Sequence, residues 1–176
     1  MNIWKDIRKE RISKDNFVAC IEISKGSKMK YELDKETGRL ILDRVLYTST
    51  HYPHNYGFIP LTYADDNDPL DVLVLCIEPI QPLCLVNCYP IGIMEMIDNE
   101  ARDEKIIAIC SNDPSLNQFK DISDMPEHIM DEIKHFFRVY KQLEGKKTYV
   151  SEVKGAEEAK KVIQKCMDKY QEKFVK

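Results

Sequence analysis

The sequence predicts a mainly β fold with helices at its end, an α+β domain built on a closed or nearly closed barrel. Three observations carry this. Short β-branched and apolar runs, broken by Gly, Pro, Asn and Asp, fill the first two thirds of the chain. The last third repeats apolar residues at three- and four-residue spacing instead. The length of 176 residues suits one domain, residues 1–176, since domains run to ~100–200 residues.

Phe17–Ile23 (FVACIEI) reads as the first strand, with Glu22 as its anomaly. Met29–Leu33 alternates, placing Met29, Tyr31 and Leu33 on one face and Lys30 and Glu32 on the other. Glu36-Thr37-Gly38-Arg39 is a turn. The strand Leu40–Leu46 follows, and there Arg44 shares a face with Leu40, Leu42 and Leu46. An unpaired charge on an apolar face is costly, so Arg44 needs an anionic partner. Val72–Ile77 is a buried strand, and Val86–Tyr89, Ile91–Met96 and Lys105–Cys110 complete the set. Asp124-Met-Pro-Glu127 reads as an N-cap with a capping box. Behind it Ile129, Met130, Ile133, Phe136, Phe137, Tyr140 and Leu143 mark a helical face. A second helix begins near Ala156, with Ala159, Val162, Ile163, Cys166, Met167, Tyr170 and Phe174 predicted to pack on the barrel.

Composition narrows the function. Apolar residues make up 43% and charged residues 32%, which excludes collagen-like and disordered chains. The net charge of −4 gives no support to nucleic-acid or polybasic membrane binding. The longest apolar run, Val72 to Ile77, is far short of the ~20 residues a membrane span needs. The first fifteen residues are charged from Lys5 onward and do not read as a secretory signal. Six scattered cysteines without a Cys-x-x-Cys read as reduced thiols in a cytoplasmic protein, not as disulfides or a zinc site.

The densest chemical signal is Ala64-Asp65-Asp66-Asn67-Asp68-Pro69-Leu70-Asp71-Val72, with four carboxylates in seven residues before an apolar strand. Such a cluster repels itself unless water or cations neutralise it, and hard oxygen ligands suit Mg²⁺, Mn²⁺ or Ca²⁺. A solvated acidic turn is the competing reading. Asp98 to Lys105 is a second acidic cluster, in which Asp103 and Lys105 sit at strand spacing. His51-Tyr52-Pro53-His54-Asn55-Tyr56-Gly57 is aromatic; Pro53 forbids a helical histidine pair, while Tyr52 and Tyr56 offer phenols to an oxyanion or simply pack. Lys134, Arg138 and Lys141 form a basic stripe whose default is a solvated helix face. The phosphate loop, the dinucleotide fingerprint, His-Glu-x-x-His and Gly-x-Ser-x-Gly are all missing. Carboxylates for metals beside cations and phenols for an anion point to metal-assisted phosphoryl transfer. An OB-type binding module, a non-catalytic cation binder and a nucleotide or polyphosphate hydrolase are the alternatives.

Asp66-Asn67-Asp68-Pro69-Leu70-Asp71-Val72 resembles the signature of the soluble family I inorganic pyrophosphatases, in their compact bacterial form. Further landmarks follow in order: Ile21-Glu22-Ile23, Lys30-Tyr31-Glu32-Leu33-Asp34, Leu42-Asp43-Arg44, Tyr52-Pro-x-Asn-Tyr56-Gly, Asp98…Asp103-x-Lys105, and His135-Phe-Phe-x-x-Tyr140-Lys141. The resemblance implies an OB-like five-stranded closed barrel flanked by two main helices. It implies hydrolysis of pyrophosphate to two orthophosphates. It assigns Asp66, Asp71, Asp98 and Asp103 to several Mg²⁺ ions, with Mn²⁺ or Zn²⁺ as substitutes, Asp71 bridging two of them, and Asp68 as general base. Lys30, Glu32, Arg44, Tyr56, Lys105, Tyr140 and Lys141 then belong to the substrate, Lys30, Arg44 and Tyr56 among the catalytic set. Glu22, Glu32 and Tyr52 support them. The resemblance also implies a homohexamer, a dimer of trimers, with His135 at an interface and Val139 in place of a second histidine. Asn99 stands where relatives often carry an acid, with Glu100 displaced by one, and is expected to loosen an outer metal site. The segment Lys146–Val153 lacks a tryptophan found in some relatives.

Overall fold

The computed structural model describes residues 1–175. In chain order they form β1 (Phe17–Ile23), β2 (Met29–Leu33), β3 (Leu40–Val45), β4 (Asn55–Ile59), β5 (Leu70–Leu75), β6 (Leu85–Asp98), β7 (Ala101–Cys110), α1 (Glu127–Val139), β8 (Thr148–Gly155) and α2 (Ala156–Phe174). β1 pairs with β4, β4 with β5 and β6 with β7, all antiparallel, while β5 pairs with β7 in parallel. β6 also pairs with β1, so five strands close into a ring. β8 adds to the second half of β6. β2 and β3 form a hairpin of their own, unpaired to the ring.

Alternation of side chains divides the core. Val72, Val74, Ile106 and Ala108 join a cluster with Ala159, Ile163, Cys166 and Tyr170 of α2. Leu73, Leu75, Ile107 and Ile109 join the other, with Ile133, Phe136 and Phe137 of α1. Because the stretches from Val72 to Leu75 in β5 and from Ile106 to Cys110 in β7 are covered on both faces, they read as unbroken apolar runs. The α2 stripe packs as its spacing predicts, with Val162, Met167 and Phe174 partly buried at its margins.

Several elements differ from the sequence reading. β4 was hidden in the aromatic stretch, because a short strand buried throughout shows no alternation. Gly57 is required there: a Cβ would stand 1.9 Å from the Cys20 carbonyl oxygen across the β1–β4 pair. Gly57→Ala is therefore expected to destabilise the protein by more than about 4 kcal/mol, or to prevent folding, in chemical denaturation. The two strands expected at Val86–Tyr89 and Ile91–Met96 are one, β6, with a bulge between Pro90 and Gly92. A proline lacking its N–H is tolerated at a bulge. β8 is a strand that the sequence reading does not include. The capping box belongs to Asp121 and Asp124 around the 3-10 turn Ile122–Asp124, and α1 starts after Pro126 without a side-chain cap. α1 ends at Val139, so Leu143 lies beyond it, 68% exposed. β3 is largely exposed, Leu42 included, so Arg44 does not stand on a core face. Its charge is met by Asp43 and, at 2.8 Å from Nε, by the buried Glu144 carboxylate.

Candidate active site

A cleft of about 430 Å³ opens between the ring, the β2–β3 hairpin and the end of α1. Into it project Glu22 of β1, Lys30 and Glu32 of β2, Tyr52, Tyr56 of β4, Asp66, Asp68, Asp71 of β5, Asp98 of β6, Asp103 and Lys105 of β7, then Tyr140 and Lys141. Of the residues the resemblance assigns to metal, substrate or their support, Arg44 alone does not line it.

The acidic loop is held by its own backbone. Asn67 adopts a left-handed φ of 68°, which asparagine tolerates, and its side chain accepts from the Tyr63 hydroxyl at 2.7 Å. The Ala64 N–H donates to the Asp68 carbonyl at 2.8 Å, and the Asp68 N–H to Asp66 at 3.1 Å. The Leu70 N–H then donates to the buried Thr62 hydroxyl at 2.9 Å, which fixes where β5 begins. Asp71 is thereby a strand residue rather than a loop residue.

Register brings the charges together. Asp71 faces Lys105 across the parallel pair. Asp103, two residues before Lys105, shares its face. Carboxylate oxygens of Asp66, Asp71 and Asp103 lie within 4.8 Å of one another. Lys105, 2% exposed, donates to the Tyr56 hydroxyl at 2.8 Å, to Asp71 at 3.0 Å and to Asp103 at 3.2 Å. Burial pulls its pKa down, but Asp71 and Asp103 outweigh that and hold the ammonium well above its ordinary value.

One ammonium does not balance this many acids. Burial and then the Asp71 charge push Asp66 up to about 6. The same two causes, partly offset by the Leu33 N–H at 2.8 Å, push Glu22 up to about 8. Burial raises Asp103 as well. Carboxyls whose ionisation is opposed this way gain most from a dication, and clustered carboxylate oxygens are what hard cations bind. Asp66, Asp71 and Asp103 therefore fit a divalent metal. Burial also raises the Tyr52, Tyr56 and Tyr140 phenols, which stay neutral donors.

The other cleft cations are paired as well: Lys141 with Asp98, and Lys30 with Glu32 and, at 3.6 Å, Asp43. Lys35, which the sequence reading passed over, pairs with Asp68. Nothing in a charged turn distinguishes one lysine from its neighbours, so it carried no signal. Asn99 and Glu100 make the two-residue β6–β7 turn, with φ of 49° and 65°. Turn geometry favours asparagine there. Neither residue lines the cleft, whereas the neighbouring Asp98 does. His51 and His54 also lie outside it.

The family model for inorganic pyrophosphatase matches residues 19–171. The chain belongs to the inorganic pyrophosphatase family. Among its relatives, soluble inorganic pyrophosphatase 2 of Chlamydomonas reinhardtii is 53% identical over 161 residues, 91% of this chain and 84% of that protein. Soluble inorganic pyrophosphatase 1 of Arabidopsis thaliana is 46% identical over 169 residues, 96% of this chain and 80% of that one. The fold is equally close to solved bacterial pyrophosphatases. The Thermus thermophilus structure superposes with a TM-score of 0.93 at 36% identity, covering 97% of this chain and 99% of that one. The Helicobacter pylori structure gives 0.90 at 43% identity, covering 94% and 99%. Pyrophosphate hydrolysis is thus the activity that membership of this family supports, and the acids of the cleft suit a divalent metal.

Proposed function

We propose that the chain, as a single pyrophosphatase domain, hydrolyses pyrophosphate to two orthophosphates with Mg²⁺ as its metal and Asp68 as general base. The observation that carries this is the meeting of Asp66, Asp71 and Asp103 within 4.8 Å, in a cleft that also holds lysines and neutral phenols. Asp66, Asp71, Asp98 and Asp103 would hold the metal, with Glu22 and Glu32 behind them and Tyr52 in support. Held there, Mg²⁺ would supply a lowered pKa for a bound water and positive charge against the anionic substrate. Asp68, at the exposed tip of the loop, takes the proton of the attacking water. Lys30, Lys141, Tyr56 and Tyr140 donate to phosphate oxygens and stabilise the charge that gathers on the leaving phosphate. Lys105 reaches a phosphate only by giving up one of its three present bonds. Arg44 pairs with Asp43 and Glu144 and does not line the cleft, so its role asks for its side chain to turn toward the substrate.

Phosphate release from pyrophosphate, ATP and tripolyphosphate, assayed in parallel with Mg²⁺, Mn²⁺ and Zn²⁺, tests the reading. Rapid release from pyrophosphate alone, best with Mg²⁺, is expected; no release with excess Mg²⁺ at neutral to mildly alkaline pH overturns it. Six free cysteines support a reducing, cytoplasmic setting, and no helix of the described residues is long and apolar enough to cross a membrane. A homohexamer, with the exposed His135 at a contact, is the expected assembly. Light scattering that finds a monomer at micromolar concentration refutes it.

A further inference from the structure

Lys35 lies in the turn between β2 and β3, lines the cleft, and pairs there with Asp68. Its outer side is built by the N-terminal segment. Asn2 Nδ2 donates to the Lys35 carbonyl at 2.7 Å. The Met1 carbonyl abuts the same turn at Gly38, where a Cβ would stand 2.6 Å from it. Trp4 is 4% exposed; its Nε1 donates to the Thr62 carbonyl at 2.9 Å and its own carbonyl accepts from the Leu61 N–H at 3.0 Å. Edge-to-face contacts with Phe174 at 5.3 Å and Tyr170 at 6.2 Å lock the indole from the α2 side. The Lys35 ammonium stands 5.5 Å from the centre of this fixed ring, inside the ~6 Å reach of a cation–π contact.

The ammonium therefore has an aromatic seat behind it and a carboxylate in front. That carboxylate is Asp68, the group that must be free to meet a water. With its side chain 45% exposed, Lys35 is not packed in place and can turn about its seat. A polyanion in the cleft offers it a stronger partner than one carboxylate does.

We propose that Lys35, seated on Trp4, is a phosphate-binding residue that passes from Asp68 to a phosphate oxygen, holding the substrate and releasing the base in one movement. This rests on the pyrophosphatase reading. It assigns the N-terminal segment a place in the site, as the support that fixes the height of the cleft rim.

The chain has one tryptophan, so its emission reports on Trp4 alone. Lys35→Met, at an exposed position, is expected to raise the KM for pyrophosphate about ten-fold at saturating Mg²⁺, the size of one lost charge-assisted hydrogen bond, with kcat falling less. Lys35→Arg should recover most of that loss. Titrating Mg²⁺ with inorganic phosphate should shift Trp4 emission in the wild type and in Lys35→Arg, and leave Lys35→Met unresponsive. A KM within about two-fold of wild type in Lys35→Met overturns the proposal, as does an emission response that survives the substitution. A wild type that cleaves no pyrophosphate defeats the underlying reading and this one with it. An active wild type matched by Lys35→Met defeats the Lys35 role alone.

Discussion

Asp68→Asn is expected to lower the rate at saturating Mg²⁺ by about 10²–10⁴-fold, the usual worth of general base catalysis. Its Mg²⁺ midpoint should move little, because Asp68 stands outside the carboxylate trio. Part of the lost rate should return as pH rises, when more of the attacking water ionises without help. Asp71→Asn should do the reverse. Asp71 touches Lys105, joins the trio and burdens both Asp66 and Glu22 with its charge. Removing that charge should raise the Mg²⁺ requirement strongly, and saturating metal should restore much of the rate. Mg²⁺ titrations of both variants at several pH values decide it. Equal midpoints and equal pH profiles would show that the two acids do not divide the work.

Lys105→Met should be the most damaging substitution in the cleft for the metal-free protein. The ammonium is buried, and three acceptors depend on it. Without it Asp71 and Asp103 remain half-buried and repel each other, a change of the kind that costs about 3–5 kcal/mol when one partner of a buried pair is removed. Total stability is only about 5–15 kcal/mol, so the variant should unfold early in urea. Mg²⁺ supplies the missing positive charge at the same carboxylates. Millimolar Mg²⁺ should therefore stabilise Lys105→Met more than it stabilises the wild type. Equal gains in both would mean that Lys105 and the metal do not share these ligands.

What the sequence made legible follows the physics of each element. β1 and β2 stand where their patterns place them, because β-branched runs and clean alternation are local signals. The Asp loop is legible because like charges at short range need a reason, and the Asp103–Lys105 pair because residues two apart in a strand share a face. The pairing of Lys105 with Asp71 is not legible in the sequence. It depends on a parallel register between strands far apart in the sequence, and no local pattern encodes that. Arg44 was read as needing an anion, and it has two, yet one is Glu144 from beyond α1, which nothing near Arg44 announces. Asn99 carries a second role that its sequence context does not announce, as a left-handed residue of the β6–β7 turn.

The parallel pairing of β5 and β7 also fixes when the site comes into being. A parallel pair cannot be closed by a tight hairpin. Here the long strand β6 lies between its members in sequence and beside β7 in space. Asp71 meets Lys105 only once thirty-four positions of chain have been folded back. Contacts of that range are made after their loop entropy has been overcome, and so they form late. Until the ring shuts, the acids of the loop are ordinary solvated carboxylates with no cation among them. A nascent or refolding chain is therefore catalytically silent, and the onset of phosphate release marks a finished molecule.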